Sequence, residues 1–251
     1  MQRLRLITIP LSHFCEKARW ALDLAGLDYV EEGSLPLFHM LATRRHGGRS
    51  TPLLVTPEGA LRDSTDILMW VDRRHRLYPE DAAQRAEVVA LEDQLDEVLG
   101  PHLRRVGYFH ALPDRERALA VVTQGVAAWQ ARLARPLFPV LKRLLVASLK
   151  LTPTGAGRST EKVRAIFAEV STRLADGRRY LIGDTFTAAD LTLAALAAPL
   201  LYPPGHPIRW PDEGERPPAI RALSEELRGT PAGAFALRMY AEHRPARGGL
   251  G

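Results

Sequence analysis

Apolar positions along the first 80 residues change period several times, and each change predicts a new element. Leu4, Leu6, Ile7 and Ile9 make a short β-prone run closed by Pro10, which reads as a buried strand. From Phe14 the positions Ala18, Trp20, Ala21, Leu22, Leu24 and Ala25 recur at helical spacing, and Gly26 suits the helix C-terminus. Asp28 to Glu31 reads as a second strand. Leu35 to Thr43 is a weak helix broken at Gly47-Gly48, and Pro52-Leu-Leu-Val-Thr56 is a third strand. Pro57-Glu-Gly-Ala60 signals a turn into a strand at Ala60 to Arg62, after which Asp63-Ser64 opens a helix that buries Ile67, Leu68, Trp70 and Val71. A strand-helix-strand crossover makes a parallel pair and a tight turn an antiparallel one, so this order predicts a small mixed sheet flanked by helices.

Tyr78-Pro79-Glu-Asp81 marks a boundary, beyond which strand signals nearly vanish. Ala82 to Leu99, Ala118 to Leu133, Glu161 to Leu174, Thr187 to Leu201, Pro217 to Leu227 and Pro231 to Ala241 carry helical periodicity. The expected organisation is an α/β domain over 1–78 and an all-α domain over 82–244. An extra segment near 136–158 separates a helix ending near Leu133 from one starting near Thr160. Thr152-Pro-Thr-Gly-Ala-Gly157 and Tyr202-Pro-Pro-Gly-His-Pro207 read as loops. Thr187-Ala-Ala-Asp190 has the form of a capping box, with Phe186 and Leu191 spaced as a hydrophobic staple, which makes Asp190 a folding determinant rather than a catalytic acid.

Composition narrows the functional classes. With 251 residues, 46% of them hydrophobic and 25% charged, the chain has ordinary globular content, which excludes whole-chain disorder. A single cysteine, Cys15, and no readable signal peptide point to a reducing, cytoplasmic setting. The net charge of +5 could suit an anionic partner, but residues 1–80 hold 11 basic and 10 acidic side chains, intermixed and without interleaved stacking aromatics, so nucleic-acid binding is not expected. No run reaches the length of a membrane-spanning helix. Pro136 to Leu151 is the stretch that most invites that reading, and Lys142, Arg143 and Lys150 interrupt it. It reads as an amphipathic helix that either covers a pocket or packs on the core, with a membrane surface as the alternative.

Candidate chemistry lies at Pro10-Leu-Ser12-His-Phe-Cys15, between the first strand and the first helix. A helix N-terminus offers free N–H groups and a partial positive charge that stabilise an anion such as a thiolate. Either Cys15 is a redox nucleophile, or Ser12 donates its hydroxyl to the thiolate of a bound substrate, or Cys15 is simply a small buried apolar residue. Ser12 stands where a dithiol motif would carry its first cysteine. His13 beside it is a possible general base, although a first-turn histidine is expected to be exposed.

Four motifs, in order, together resemble the glutathione transferase superfamily over most of the chain. They are Ser12-His-Phe-Cys-Glu-Lys-Ala-Arg-Trp-Ala-Leu22, Ser50-Thr-Pro-Leu-Leu54, Asp63-Ser-Thr-Asp-Ile-Leu68 and Gly183-Asp-Thr-Phe-Thr-Ala-Ala-Asp190. The resemblance implies a thioredoxin-like N-terminal domain, an all-α C-terminal domain, a homodimer, and glutathione as co-substrate with no metal. It implies a cis peptide bond before Pro52, with the Thr51 backbone pairing with the cysteinyl backbone of glutathione. It also implies that Asp63 and Ser64 hold the γ-glutamyl group, although the family more often has Glu before the serine. Ser12 matches the hydroxyl of the serine-type classes, whereas other classes carry cysteine there. Arg49 is a candidate for the glycyl carboxylate, and His46 shares its loop. The expected activity is attack of the activated glutathione thiol on a hydrophobic electrophile held between the helix over 82–109 and the tail after Tyr202. A non-catalytic ligand-binding protein of the same fold and a Cys15-dependent thiol transferase are the alternatives.

Overall fold

Four strands form one sheet in the order β2-β1-β3-β4 in a computed structural model that describes residues 3–246. β1 (Leu4–Thr8) and β2 (Tyr29–Gly33) are parallel and joined by helix α1 (His13–Leu24). β3 (Leu53–Thr56) runs antiparallel to β1, with Leu6 opposite Leu54 and Ile7 opposite Leu53, and the tight turn to β4 (Gly59–Leu61) makes the last antiparallel pair. α2 (His39–Arg44) follows β2, and α3 (Ser64–Asp72) packs beside α1. This is the expected mixed sheet of a thioredoxin-like domain, with β2 shifted toward Gly33 and α2 shorter than its apolar pattern suggested.

The remainder is helical: α4 (Ala82–Gln94), α5 (Gly100–Ala111), α6 (Arg115–Val122), α7 (Ala128–Ser148), α8 (Pro153–Arg173), α9 (Ala188–Leu201), α10 (Pro218–Arg228) and α11 (Pro231–His243). A π-helical turn at Leu95–Leu99 joins α4 to α5. α9 is apolar on every side, which predicts a central position, and every residue of it except Pro199 is buried, with α1, α4, α5 and α11 packed around it. Its capping box is formed. Asp190 Oδ2 accepts from the Thr187 N–H at 2.7 Å and the Thr187 hydroxyl at 2.8 Å, and Asp190 Oδ1 accepts from the Leu181 N–H at 2.8 Å. Phe186 and Leu191 pack in the same cluster.

Three sequence expectations need correction. The helix anticipated over Ala118 to Leu133 is broken between Val122 and Ala128, where Gly125 takes a left-handed backbone (φ 67°). The segment near 136–158 is not a separate insertion between helices: α7 runs from Ala128 straight through Pro136 and Pro139 to Ser148. The loop anticipated at Thr152 to Gly157 is the start of α8. Thr152 is its N-cap, accepting the Gly155 N–H at 3.0 Å, and Pro153 opens the first turn, where its missing N–H costs nothing.

The α6–α7 turn is seated on the sheet domain. Gly33, at the end of β2, lies so close to Gly125 that a Cβ there would stand 1.9 Å from the Gly125 carbonyl oxygen. Nearby, the Leu35 N–H donates to Gln130 Oε1 at 2.8 Å, and both groups are buried. Only glycine permits this approach, so Gly33→Ala is expected to cost about 1–3 kcal/mol in urea unfolding, the usual range for forced overpacking. A cost near zero would show that the turn moves freely off the sheet.

Candidate functional site

β1 runs out at Thr8, and the chain turns through Pro10 so that α1 begins beneath the end of the sheet. Ser12 is the N-cap of α1: its carbonyl accepts the Glu16 N–H at 2.9 Å, while its hydroxyl makes no capping bond and is left for other partners. Across from it the Thr51–Pro52 peptide is cis, as expected, with Pro52 buried and Thr51 half-buried. The Ser12 and Thr51 side chains both stand within hydrogen-bond reach of the Cys15 thiol, so the structure brings these two loops together.

Cys15 itself is fully buried. Burial pushes its thiol up, and this outweighs the charge of Arg19 and the neighbouring hydrogen bonds that favour a thiolate. A redox nucleophile needs the opposite environment, so Cys15 has the character of a packed core residue. His13 is also buried, contrary to the expectation of an exposed ring. Burial, then the charge of Arg104, lowers its pKa to about 3 against a hydrogen bond with the Gly100 backbone. It is neutral at ordinary pH, and its Nε2 has no partner.

Ser12, Arg49 and Thr51 line one cavity of about 320 Å³ between the sheet domain and the helices. This volume lies within the range of small-molecule sites, and the walls are largely apolar. The helical side supplies Leu103, Arg104 and Tyr108 from α5, and Phe138, Leu141, Lys142 and Leu145 from α7. Tyr202, Trp210 and Ile220 complete it. Of the two walls expected from sequence, the stretch over 82–109 contributes only from Leu103 onward, in α5, and the tail after Tyr202 contributes Tyr202 and Trp210. The amphipathic stretch of α7 faces the cavity with the repeat Phe138, Leu141, Lys142, Leu145.

Asp63 and Ser64 stand apart from this lining. Asp63 is the exposed N-cap of α3 and accepts the Thr65 N–H at 2.9 Å, and Ser64 is buried in the first turn. Arg49 is exposed, and His39 lies against its backbone carbonyl. His46 remains in the loop, where its carbonyl accepts from Arg62 Nε at 3.3 Å. The sequence reading missed Arg104, Tyr108 and Lys142. The available signal was a polar or charged residue placed at helical spacing within an apolar stripe, as in Leu103, Arg104, Gly107, Tyr108.

Two family models match this chain. That of the glutathione S-transferase N-terminal domain covers residues 6–80, and that of the glutathione S-transferase C-terminal domain covers residues 156–226. Together they span more than half of it. The stretch between them holds α4 to α7 and so supplies the cavity's Arg104, Tyr108 and Lys142. A search of curated proteins gives no significant match.

Solved structures share the fold at low identity. A glutathione S-transferase from Xanthobacter autotrophicus Py2 is 18% identical, with 98% of this chain and 96% of that one covered and a TM-score of 0.61. A glutathione transferase from Burkholderia graminis, solved with two glutathione molecules per subunit, is 19% identical, with 97% and 85% covered and a TM-score of 0.61. One from Methylobacterium radiotolerans, in complex with glutathione sulfonate, is 20% identical, with 94% and 95% covered and a TM-score of 0.53. With the sheet order, the all-helical second half and both domain models in agreement, the chain belongs to the glutathione S-transferase superfamily.

Proposed function

We propose that this protein is a glutathione transferase-like enzyme in which Ser12 activates the glutathione thiol for attack on an electrophile. The observation that carries this reading is the meeting of Ser12 and Thr51 on the wall of an apolar interdomain cavity, with the Ser12 hydroxyl free of any capping bond. At the N-terminus of α1 a thiolate would gain both the hydroxyl hydrogen bond and the helix dipole. The glutathione ligands of the Burkholderia and Methylobacterium structures support glutathione as the co-substrate.

In this reading the Thr51 backbone pairs with the cysteinyl unit, and Asp63 and Ser64 take the γ-glutamyl ammonium and carboxylate at the α3 N-terminus. Arg49 takes the glycyl carboxylate. The buried, neutral His13 does not support a general-base role, and the raised thiol of Cys15 does not support a thiol-transferase role. The α7 side chains that line the cavity support a covering function for 136–151 rather than a membrane-surface one. Among the described residues no helix is long and apolar enough to cross a membrane. A homodimer, a cytoplasmic setting and a detoxifying role complete the reading.

Ser12→Ala is expected to lower kcat/KM with a panel of aryl halides and epoxides by about 100-fold or more while leaving the KM for glutathione nearly unchanged. Unchanged turnover across the panel would remove Ser12 from its role. Asp63→Asn separates binding from folding, because asparagine caps a helix as well as aspartate but carries no charge. We expect an unchanged melting temperature and a roughly 10-fold weaker glutathione Kd by calorimetry. His13 gives a pH prediction. The unfolded chain binds a proton below about pH 6.5 that the folded chain refuses until about 3, so stability is complete above that range and falls as pH drops. Urea unfolding between about pH 6 and pH 4 should show a slope of about 1.4 kcal/mol per pH unit from this group, which His13→Gln flattens.

A further inference from the structure

The cavity has a one-sided charge. Arg49, Arg104, Arg117, Lys142 and Arg216 all line it, and no Asp or Glu is among its lining residues. Asp114, Glu116, Asp212 and Glu215 line the adjoining cleft instead. Two of the five cations are already engaged. Arg117 pairs with Asp114 at 3.1 Å, and Arg216 lies 3.8 Å from the Tyr202 ring centroid while donating to the Pro211 carbonyl at 3.0 Å.

Arg104 and Lys142 have no carboxylate partner among the described residues. Arg104 projects from α5 between His13 and Tyr108, neither of which supplies a negative charge at neutral pH. Burial holds His13 down to about 3 and pushes Tyr108 up to about 12. Lys142 faces the same space from α7, between Phe138 and Leu145. Arg104 is exposed and Lys142 half-buried, so both are open to a ligand, and an anion that enters between the apolar walls meets two positive charges that no carboxylate already answers. Glutathione does not account for these two, because Arg49 and the Asp63-Ser64 pair already answer its termini in the reading above.

We infer that the second substrate is an amphipathic carboxylate, whose apolar body lies between α5 and α7 and whose acid group pairs with Arg104 and Lys142. The inference rests on the transferase reading for the word substrate, but the binding it describes does not require glutathione. Only a ligand with both parts satisfies the cavity: a neutral hydrophobe leaves the two cations unpaired, and a small hydrophilic acid leaves the apolar walls wet.

The test is calorimetry on the full chain with 4-phenylbutyrate and with its neutral amide, 4-phenylbutyramide, each without glutathione. The acid is expected to bind at least 10-fold more tightly than the amide, with a preference that shrinks as salt is added. Arg104→Gln and Lys142→Gln should each reduce that preference and together abolish it, while the amide's affinity stays the same. Arg104→Lys, which keeps the charge, should retain most of it. An acid that binds no better than the amide, including binding of neither, overturns the inference, and so does a preference that survives in the double variant. A parallel glutathione titration keeps the two readings apart. Acid preference without glutathione binding sinks the transferase reading alone, and glutathione binding without acid preference sinks this one alone.

Discussion

Everything in this molecule converges on the charges buried in α1. Glu16, Lys17 and Arg19 are fully buried within two turns of helix, and each reaches a different part of the chain. Lys17 Nζ lies 2.7 Å from Glu92 and also pairs with Asp96 at the π-helical turn, binding α1 to the helical domain. Arg19 lies 2.9 Å from Glu31 on β2 and donates to the Pro10 carbonyl, which fixes the loop that carries Ser12. Glu16 pairs with Arg244 at 2.7 Å, beyond the end of α11. Burial opposes the ionisation of Glu16, yet Arg244 and its other cationic neighbours draw its pKa down to about 2. Losing one member of such a buried pair typically costs about 3–5 kcal/mol, because the other charge is stranded. One helix therefore sets both the position of the Ser12 loop and the relation of the two domains.

That arrangement leaves the cavity between a fixed wall and a covering one. The fixed wall is the end of the sheet domain with α5, held by α1. The covering wall is the α6–α7 hairpin, held by the Gly33–Gly125 approach, the Leu35–Gln130 hydrogen bond, two hydrogen bonds between Gln124 and the Arg209 backbone, the Arg105 bond to the Leu149 carbonyl and a small apolar cluster around Leu119, Ala134 and Phe138. This cluster is separate from the main core, so the hairpin packs through a small core of its own.

The sheet domain was legible in the sequence because its signals are local. Strand runs end at Pro10 and Pro57, Gly26 ends α1, and the capping residues Asp63 and Thr187 announce α3 and α9. The buried charges were not legible. Glu16, Lys17 and Arg19 look like the solvated face of an amphipathic helix, and only their distant partners Glu92, Glu31 and Arg244 make burial tolerable. The α6–α7 turn was obscured for a related reason: apolar spacing continues across Thr123 to Ala127, and the break is decided by Gly125 meeting Gly33 far away in sequence. Thr152-Pro153 was misread because a threonine followed by proline signals both a loop and a helix start. At the site, Ser12, Arg49 and Thr51 could be named from motif order, whereas the cavity-facing cations of α5 and α7 depend on which side of each helix turns inward.

The covering helix has one more property. Pro136 and Pro139 lie inside α7, and each removes the N–H that would have bonded to the carbonyl four residues earlier, on Arg132 and Arg135. The Arg135 carbonyl is taken instead by Arg115 of α6 at 2.8 Å. The ladder of α7 thus lacks two rungs on either side of Phe138, the residue it places over the cavity. A bend at that point meets two fewer ladder bonds than a bend elsewhere in the helix, so the roof of the cavity carries its own crease.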